Sequence, residues 1–167
     1  MEVTPELLSA FPLLKPLPKT VLTDLAKCSS LRKFSRRGVV LEAGAADRST
    51  CFLFEGRLQG VDFTIDGREV GLYFIEPGDF CGELALFDAE PQSEFVIALT
   101  AAVVVFVPVK ELQRVSPLRL LTPTLAGWME IRVDQQQAAG GDGARAVRPL
   151  LPSCRATYCV LAHSWLL

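Results

Sequence analysis

The sequence predicts a mainly β domain with flanking helices, and three observations carry that prediction. From Leu31 to Val107, short apolar or alternating stretches are broken by glycines at 38, 44, 56, 60, 67, 71, 78 and 82. Strands punctuated at that spacing belong to a barrel, jelly roll or sandwich. On either side of this zone the apolar residues return at helical spacing. Half of the 167 residues are apolar and 22% are charged, which gives enough material for a buried core and excludes a disordered polar chain. The length suits one domain with a short appendage.

The elements follow in order. Thr4 followed by Pro5 has the pattern of an N-cap with proline at the first helical position, so TPELLSA reads as a short helix. Leu17-Pro18 opens a second, PKTVLTDLAKC, with Val21, Leu22, Leu25 and Ala26 on one face. The strands read as LRKFS, VVLEAG, STCFLFEG, RLQGVDFTI, REVGLYFI, EPGDF, FVIALT and AAVVVFVPV. Asp66-Gly67 predicts a two-residue type I′ hairpin, in which both central residues take positive φ. VVVFV is continuous rather than alternating, as expected of a strand covered on both faces. KELQRV predicts one short helix. After Pro117, Thr122 and Pro123, the segment PTLAGWMEIRVDQQQAA predicts a long helix with Leu125, Trp128, Met129 and Val133 on one side. An apolar stripe beyond a finished β-domain suits a partner helix, so a homodimer through Leu125–Val133 is expected, the alternative being a helix packed back on its own roll. Residues 1–138 form the domain. Residues 139–167 open on the linker-like GGDG and show no period, too few residues for an independent fold.

Charge and rare residues remove several classes of function. Lys and Arg number 17 against 19 Asp and Glu, a net charge of -2, so no whole-protein basic field exists to hold nucleic acid. The only basic cluster, RKFSRR at 32–37, reads as a solvated sheet edge. The longest uncharged apolar run, Phe95 to Val109, has fifteen residues and contains Thr100 and Pro108, too short for a membrane span. The start, MEVTPELLSA, lacks the basic region of a secretory signal. A cytoplasmic chain with no membrane contact is expected. The five cysteines are scattered, with no CxxC pair. Cys154, Cys159 and His163 fall short of the four ligands of a structural zinc, so no metal is expected. His163 is the only histidine. Neither a Ser-His-Asp triad nor the histidine-based metal site of a cupin-like enzyme can be assembled. No catalytic residue is assigned, and the chain is read as a non-enzyme.

Particular residues then point to a family. Phe34 with Gly38, Val39-Val40-Leu41-Glu42-Ala43-Gly44, Cys51-Phe52-Leu53-Phe54-Glu55-Gly56, and Asp66-Gly67-Arg68-Glu69-Val70 occur in order. They precede Glu76-Pro77-Gly78-Asp79-Phe80-Cys81-Gly82-Glu83-Leu84-Ala85-Leu86-Phe87. Across residues 10–138 this layout resembles the cyclic-nucleotide-binding sensor domain of bacterial Crp/Fnr-type transcription regulators. The resemblance implies a β-roll, a double-stranded β-helix or jelly roll, followed by a long dimerisation helix. The last motif resembles the phosphate-binding cassette and implies ligand-binding roles for Gly82, Glu83, Leu84 and Ala85. Physically, Gly82 permits close backbone approach. The N–H groups that follow favour an anion. The Glu83 carboxylate suits a ribose 2′-hydroxyl.

Two departures qualify the resemblance. Nucleotide-binding members carry an arginine after the cassette that pairs with the cyclic phosphate, followed by a hydroxyl or small residue. Here the loop length places Gln92 at the arginine position and Ser93 at the hydroxyl, with Asp88, Glu90 and Glu94 nearby. No Lys or Arg lies between Arg68 and Lys110. Losing a charge-assisted phosphate contact costs several kcal/mol, about two orders of magnitude in affinity. Arg57 and Arg68 are the arginines that would have to reach in from other strands. At most weak cyclic-nucleotide binding is therefore expected, with no certain cofactor and an unassigned small-molecule effector. The alternative is a working cAMP- or cGMP-binding module. Secondly, residues 139–167 offer no helix-turn-helix pair, so DNA contact is expected only if that module is supplied elsewhere.

Overall fold

The computed structural model describes residues 2–45, 48–63, 66–86 and 95–115. The helix expected near Leu125–Val133, Gln92, Ser93, the Cys154–Cys159–His163 group and the whole of 139–167 lie outside the described residues. Twelve elements occur among the described residues. They are α1 (Pro5–Ser9), α2 (Lys19–Cys28), β1 (Ser30–Phe34), β2 (Val39–Leu41), β3 (Ser49–Glu55), β4 (Leu58–Phe63) and β5 (Glu69–Ile75). There follow β6 (Phe80–Cys81), a 3-10 helix (Glu83–Leu86), β7 (Phe95–Ala98), β8 (Ala102–Pro108) and α3 (Val109–Val115).

The helices start where the sequence signals them. The Thr4 hydroxyl accepts the Leu7 N–H at 3.2 Å, and Pro5 opens α1. Pro18 itself occupies the N-cap of α2, without a side-chain cap bond. No period in the sequence marks the residues between the two helices as core. They form turns, yet Phe11, Leu13, Leu14 and Leu17 are all buried. A chain of successive turns can present apolar residues inward without repeating any helical period.

The strands form two antiparallel four-stranded sheets, ordered β1-β8-β3-β6 and β2-β7-β4-β5. Alternation along β3 and β8 divides the interior into two layers. Cys51, Leu53, Val104 and Phe106 point into the roll, where they meet Val40, Leu58, Tyr73, Ile75, Val96 and Ala98. Phe52, Val105 and Val107 point the other way, onto Leu8, Phe11, Leu22, Leu25 and Leu112 of the helical layer. Phe11, Phe52 and Phe80 form a ring series with centroids 5.2 and 5.9 Å apart, within the favourable range for tilted aromatic pairs. The continuous VVVFV run is thus covered on both faces. No period-two pattern is required of such a strand.

One local expectation is corrected. The β4–β5 hairpin exists, but its last pair is Phe63 with Glu69, which leaves five residues, 64–68, in the connection. Gly67 has φ +78°, and the Phe63–Glu69 register centres the connection on Asp66 alone rather than on the Asp66-Gly67 pair. A two-residue type I′ turn is therefore not formed. Asp66 instead turns its carboxylate to Arg68 at 3.0 Å.

RKFSRR behaves as a sheet edge, since β1 ends its sheet. Arg32 stacks over the Phe106 ring at 4.4 Å, and Arg37 makes a two-pronged pair with Glu69 at 3.2 and 2.9 Å. Among the described residues, no helix is long and apolar enough to cross a membrane.

Candidate functional site

The cassette is built from the turn that precedes it. Asp79 N–H donates to the Glu76 carbonyl at 2.9 Å, and the Asp79 carboxylate accepts the Glu76 N–H at 3.0 Å, closing Glu76-Pro77-Gly78-Asp79 on itself. This turn is fastened to β3. Gly78 N–H donates to the Leu53 carbonyl at 2.8 Å, and Leu53 N–H donates to the Asp79 carbonyl at 2.9 Å. Short strand β6 then pairs Phe80 with Phe52 and Cys81 with Cys51. The chain arrives at Gly82 with its register against β3 already set.

Gly82 is required for two separate reasons. Its φ of +77° lies in the left-handed region that side chains resist. A Cβ here would also sit 2.6 Å from the Ser49 carbonyl oxygen and 3.2 Å from Leu41 Cδ1. Ser49 belongs to one sheet and Leu41 to the other, so the glycine marks the seam of the roll. The close approach that the sequence assigned to a ligand is used, in this structure, by the protein's own backbone.

Glu83, Leu84 and Ala85 follow Gly82 in the 3-10 helix Glu83–Leu86. Glu83 is 5% exposed, one of two buried polar residues among those described, and Ala85 is buried beside Leu86. Gln92 and Ser93, the remaining sequence-assigned residues, lie outside the described residues.

Two side chains hold the carbonyl end of this 3-10 helix. The Arg48 guanidinium, through Nη2, donates to the Ala85 carbonyl, and Gln113 Nε2 of α3 donates to the Leu86 carbonyl at 2.7 Å. A helix's last carbonyls lack intrahelical partners, and a cation is favoured there. The Arg48 carbonyl accepts the Val109 N–H at 3.0 Å, joining the start of β3 to the start of α3. One residue therefore holds both the cassette and the helix that leaves the roll. Arg48 and Ala85 are 37 positions apart, and nothing local in the sequence announces such a contact.

The arginines considered as replacement cations are committed elsewhere. Arg57 Nε pairs with Glu76 at 2.6 Å, and its guanidinium lies 4.5 Å from the Phe74 ring centre. Arg68 Nε pairs with Asp66 at 3.0 Å. Within the roll, the Tyr73 ring covers Gly60, its cross-strand partner, so closely that a Cβ there would lie 2.5 Å from Cζ.

The two-sheet roll, its seam glycine and the buried acid that follows are the features to compare with known domains. The family profile of the cyclic nucleotide-binding domain matches residues 31–116, just over half of the chain, and the chain belongs to that family. The domain is regulatory and non-catalytic. No curated protein matches the chain.

Solved structures share the fold. The regulatory subunit of a cAMP-independent protein kinase A from Trypanosoma brucei is 21% identical, with a TM-score of 0.65 over 75% of this chain and 45% of that one. The chain spans less than half of that subunit. The sensor domain of the transcriptional regulator DNR from Pseudomonas aeruginosa is 23% identical, with a TM-score of 0.65 over 77% of this chain and 90% of that one. The N-terminal domain of a transcriptional regulator from Streptomyces coelicolor A3(2) is 25% identical, with a TM-score of 0.59 over 77% of this chain and 93% of that one. Neighbours thus include both transcription regulators and kinase regulatory subunits.

Proposed function

We propose that this chain is the effector-sensing domain of a Crp/Fnr-type transcription regulator whose affinity for cyclic nucleotides is low. The sequence feature that carries the reading is a Gly82–Glu83 cassette start followed by neutral Gln92 where the resemblance implies an arginine. Asp88, Glu90 and Glu94 add negative charge to the same stretch of sequence. Arg57 and Arg68 are engaged with Glu76 and Asp66, and Arg48 serves the carbonyl end of the 3-10 helix. These contacts support the view that none of Arg48, Arg57 and Arg68 replaces the missing guanidinium.

Two trypanosomal neighbours support the same reading by analogy. A triple variant of the T. brucei subunit, one of whose changes introduces an arginine, is described bound to cAMP in its A site. The related T. cruzi subunit is described bound to guanosine, which has no phosphate. The long helix around Leu125–Val133 would join two copies, and ligand in the roll would bias its position by population shift.

Isothermal titration of the wild-type chain with cAMP and cGMP tests the proposal. Heats too small to fit, or dissociation constants in the high micromolar range or weaker, are expected. Low-micromolar affinity for either nucleotide would mean that this is a working cyclic-nucleotide module.

A further inference from the structure

We infer that the outer edge of β1 takes up an acidic, extended segment of a partner protein, which adds to the sheet as a further strand. The surface is separate from the cassette and from any effector in the roll.

Strand β1, Ser30–Phe34, ends its sheet and pairs only with β8. Among the described residues no backbone hydrogen bond is made on its other side. A strand so placed offers a row of N–H and C=O groups to which another strand can add. Its side chains give that edge a sign. Residues 25–41 contain five Lys or Arg and no Asp or Glu. Two of the five are engaged, Lys27 with Asp24 and Arg37 with Glu69. Arg32, Lys33 and Arg36 are exposed, and among the described residues no carboxylate pairs with them. The adjacent strand does not neutralise them, since Val104 and Val103 stand opposite Arg32 and Lys33.

The two faces of β1 set what an added strand must carry. Side chains alternate along a strand. Leu31 packs against the helical layer, and Lys33 shares that face. Arg32 lies on the roll face, its guanidinium 4.4 Å from the Phe106 ring centre. Beside the start of β1, a groove of about 570 Å³ is lined by Val3, Pro5, Ala26 and Leu31, and by Glu2 and Lys27, whose charges offset. Across neighbouring strands, opposite charges attract and like charges repel. The matching segment therefore carries two adjacent carboxylates, opposite Arg32 and Lys33, and next to them an apolar residue that enters the groove. A second copy of β1 would bring Arg32 and Lys33 against cations like themselves, so charge excludes self-pairing. A nucleic-acid strand would answer the charge but leave the apolar groove and the backbone row unused.

Fluorescence anisotropy of the full chain with a labelled Thr-Leu-Glu-Glu-Leu-Thr peptide tests the inference, because that peptide reads the same in either strand direction. It should bind saturably, and at least about tenfold more tightly than its Gln-for-Glu version. Of the two versions methylated at alternate backbone nitrogens, at least one should lose binding to the same extent. Arg32→Glu combined with Lys33→Glu should abolish binding and create binding of the Lys-for-Glu peptide, a gain that an unfolded chain would not show. Should that variant not fold, the peptide comparisons on the unmodified chain decide the question. Absence of binding, or equal binding of the Glu and Gln peptides, overturns the inference. So does full binding by both methylated versions, since no strand is then added. Tighter binding of a single-stranded oligothymidylate than of the peptide would make the edge a nucleic-acid surface instead.

Discussion

Strands β3 and β8 are covered on both faces, by the roll interior on one side and by the helical layer on the other. The opposite sheet, β2-β7-β4-β5, leaves Val39 43%, Phe63 49% and Phe74 43% exposed, against Phe54 alone, 41% exposed near the end of β3, in the first. The cassette belongs to the first of these regions. Its glycine lies against Ser49, its turn is bonded to Leu53, and its carbonyl end is held by Arg48 and Gln113. Leu41 of the second sheet also lies against Gly82. The difference teaches how a binding element is kept in place: the densely backed sheet fixes its position, and the thinner sheet closes the roll around it.

The largest effect should come from the backed sheet. Phe52→Ala removes a fully buried ring between Phe11 and Phe80 and should cost about 3–5 kcal/mol, a large share of a domain's stability. A thermal or denaturant melt reads this directly. Gly60→Val in the other sheet forces Tyr73 aside and should cost roughly 1–3 kcal/mol. A loss at Gly60 as large as that at Phe52 would show that the two sheets are equally rigid, against the comparison drawn here.

Arg48→Ala should cost less, about 1–2 kcal/mol, because it leaves the Ala85 carbonyl without its charged donor. Its distinguishing signature is local. Hydrogen exchange should accelerate at residues 83–86 and at Val109 more than along β4 and β5. Uniform acceleration would reduce Arg48 to a general stabilising residue.

Much of this was legible before any coordinates. The strand zone was readable because glycine punctuation and two-residue alternation are local signals, and VVVFV because a doubly covered strand drops the alternation. The seam glycine and Glu83 were readable because the order of motifs is specific. Phe11, Leu13 and Leu14 were not, since successive turns impose no period. The Asp66-Gly67 turn was misjudged because the pair register, ending at Phe63 and Glu69, sets the loop length and no dipeptide reports that. Arg48 and Gln113 were invisible for a different reason: both act on carbonyls distant in sequence, and a carbonyl has no signature in residue identity.

The proposed weakness toward cyclic nucleotides turns on one positive charge, at Gln92. Parallel cAMP titrations of the wild-type chain and Gln92→Arg test it most directly. The substitution should tighten binding by about two orders of magnitude, the equivalent of roughly 2.7 kcal/mol, from a wild-type value too weak to matter at micromolar ligand. Wild-type binding already at low micromolar, left unchanged by the new arginine, would contradict it.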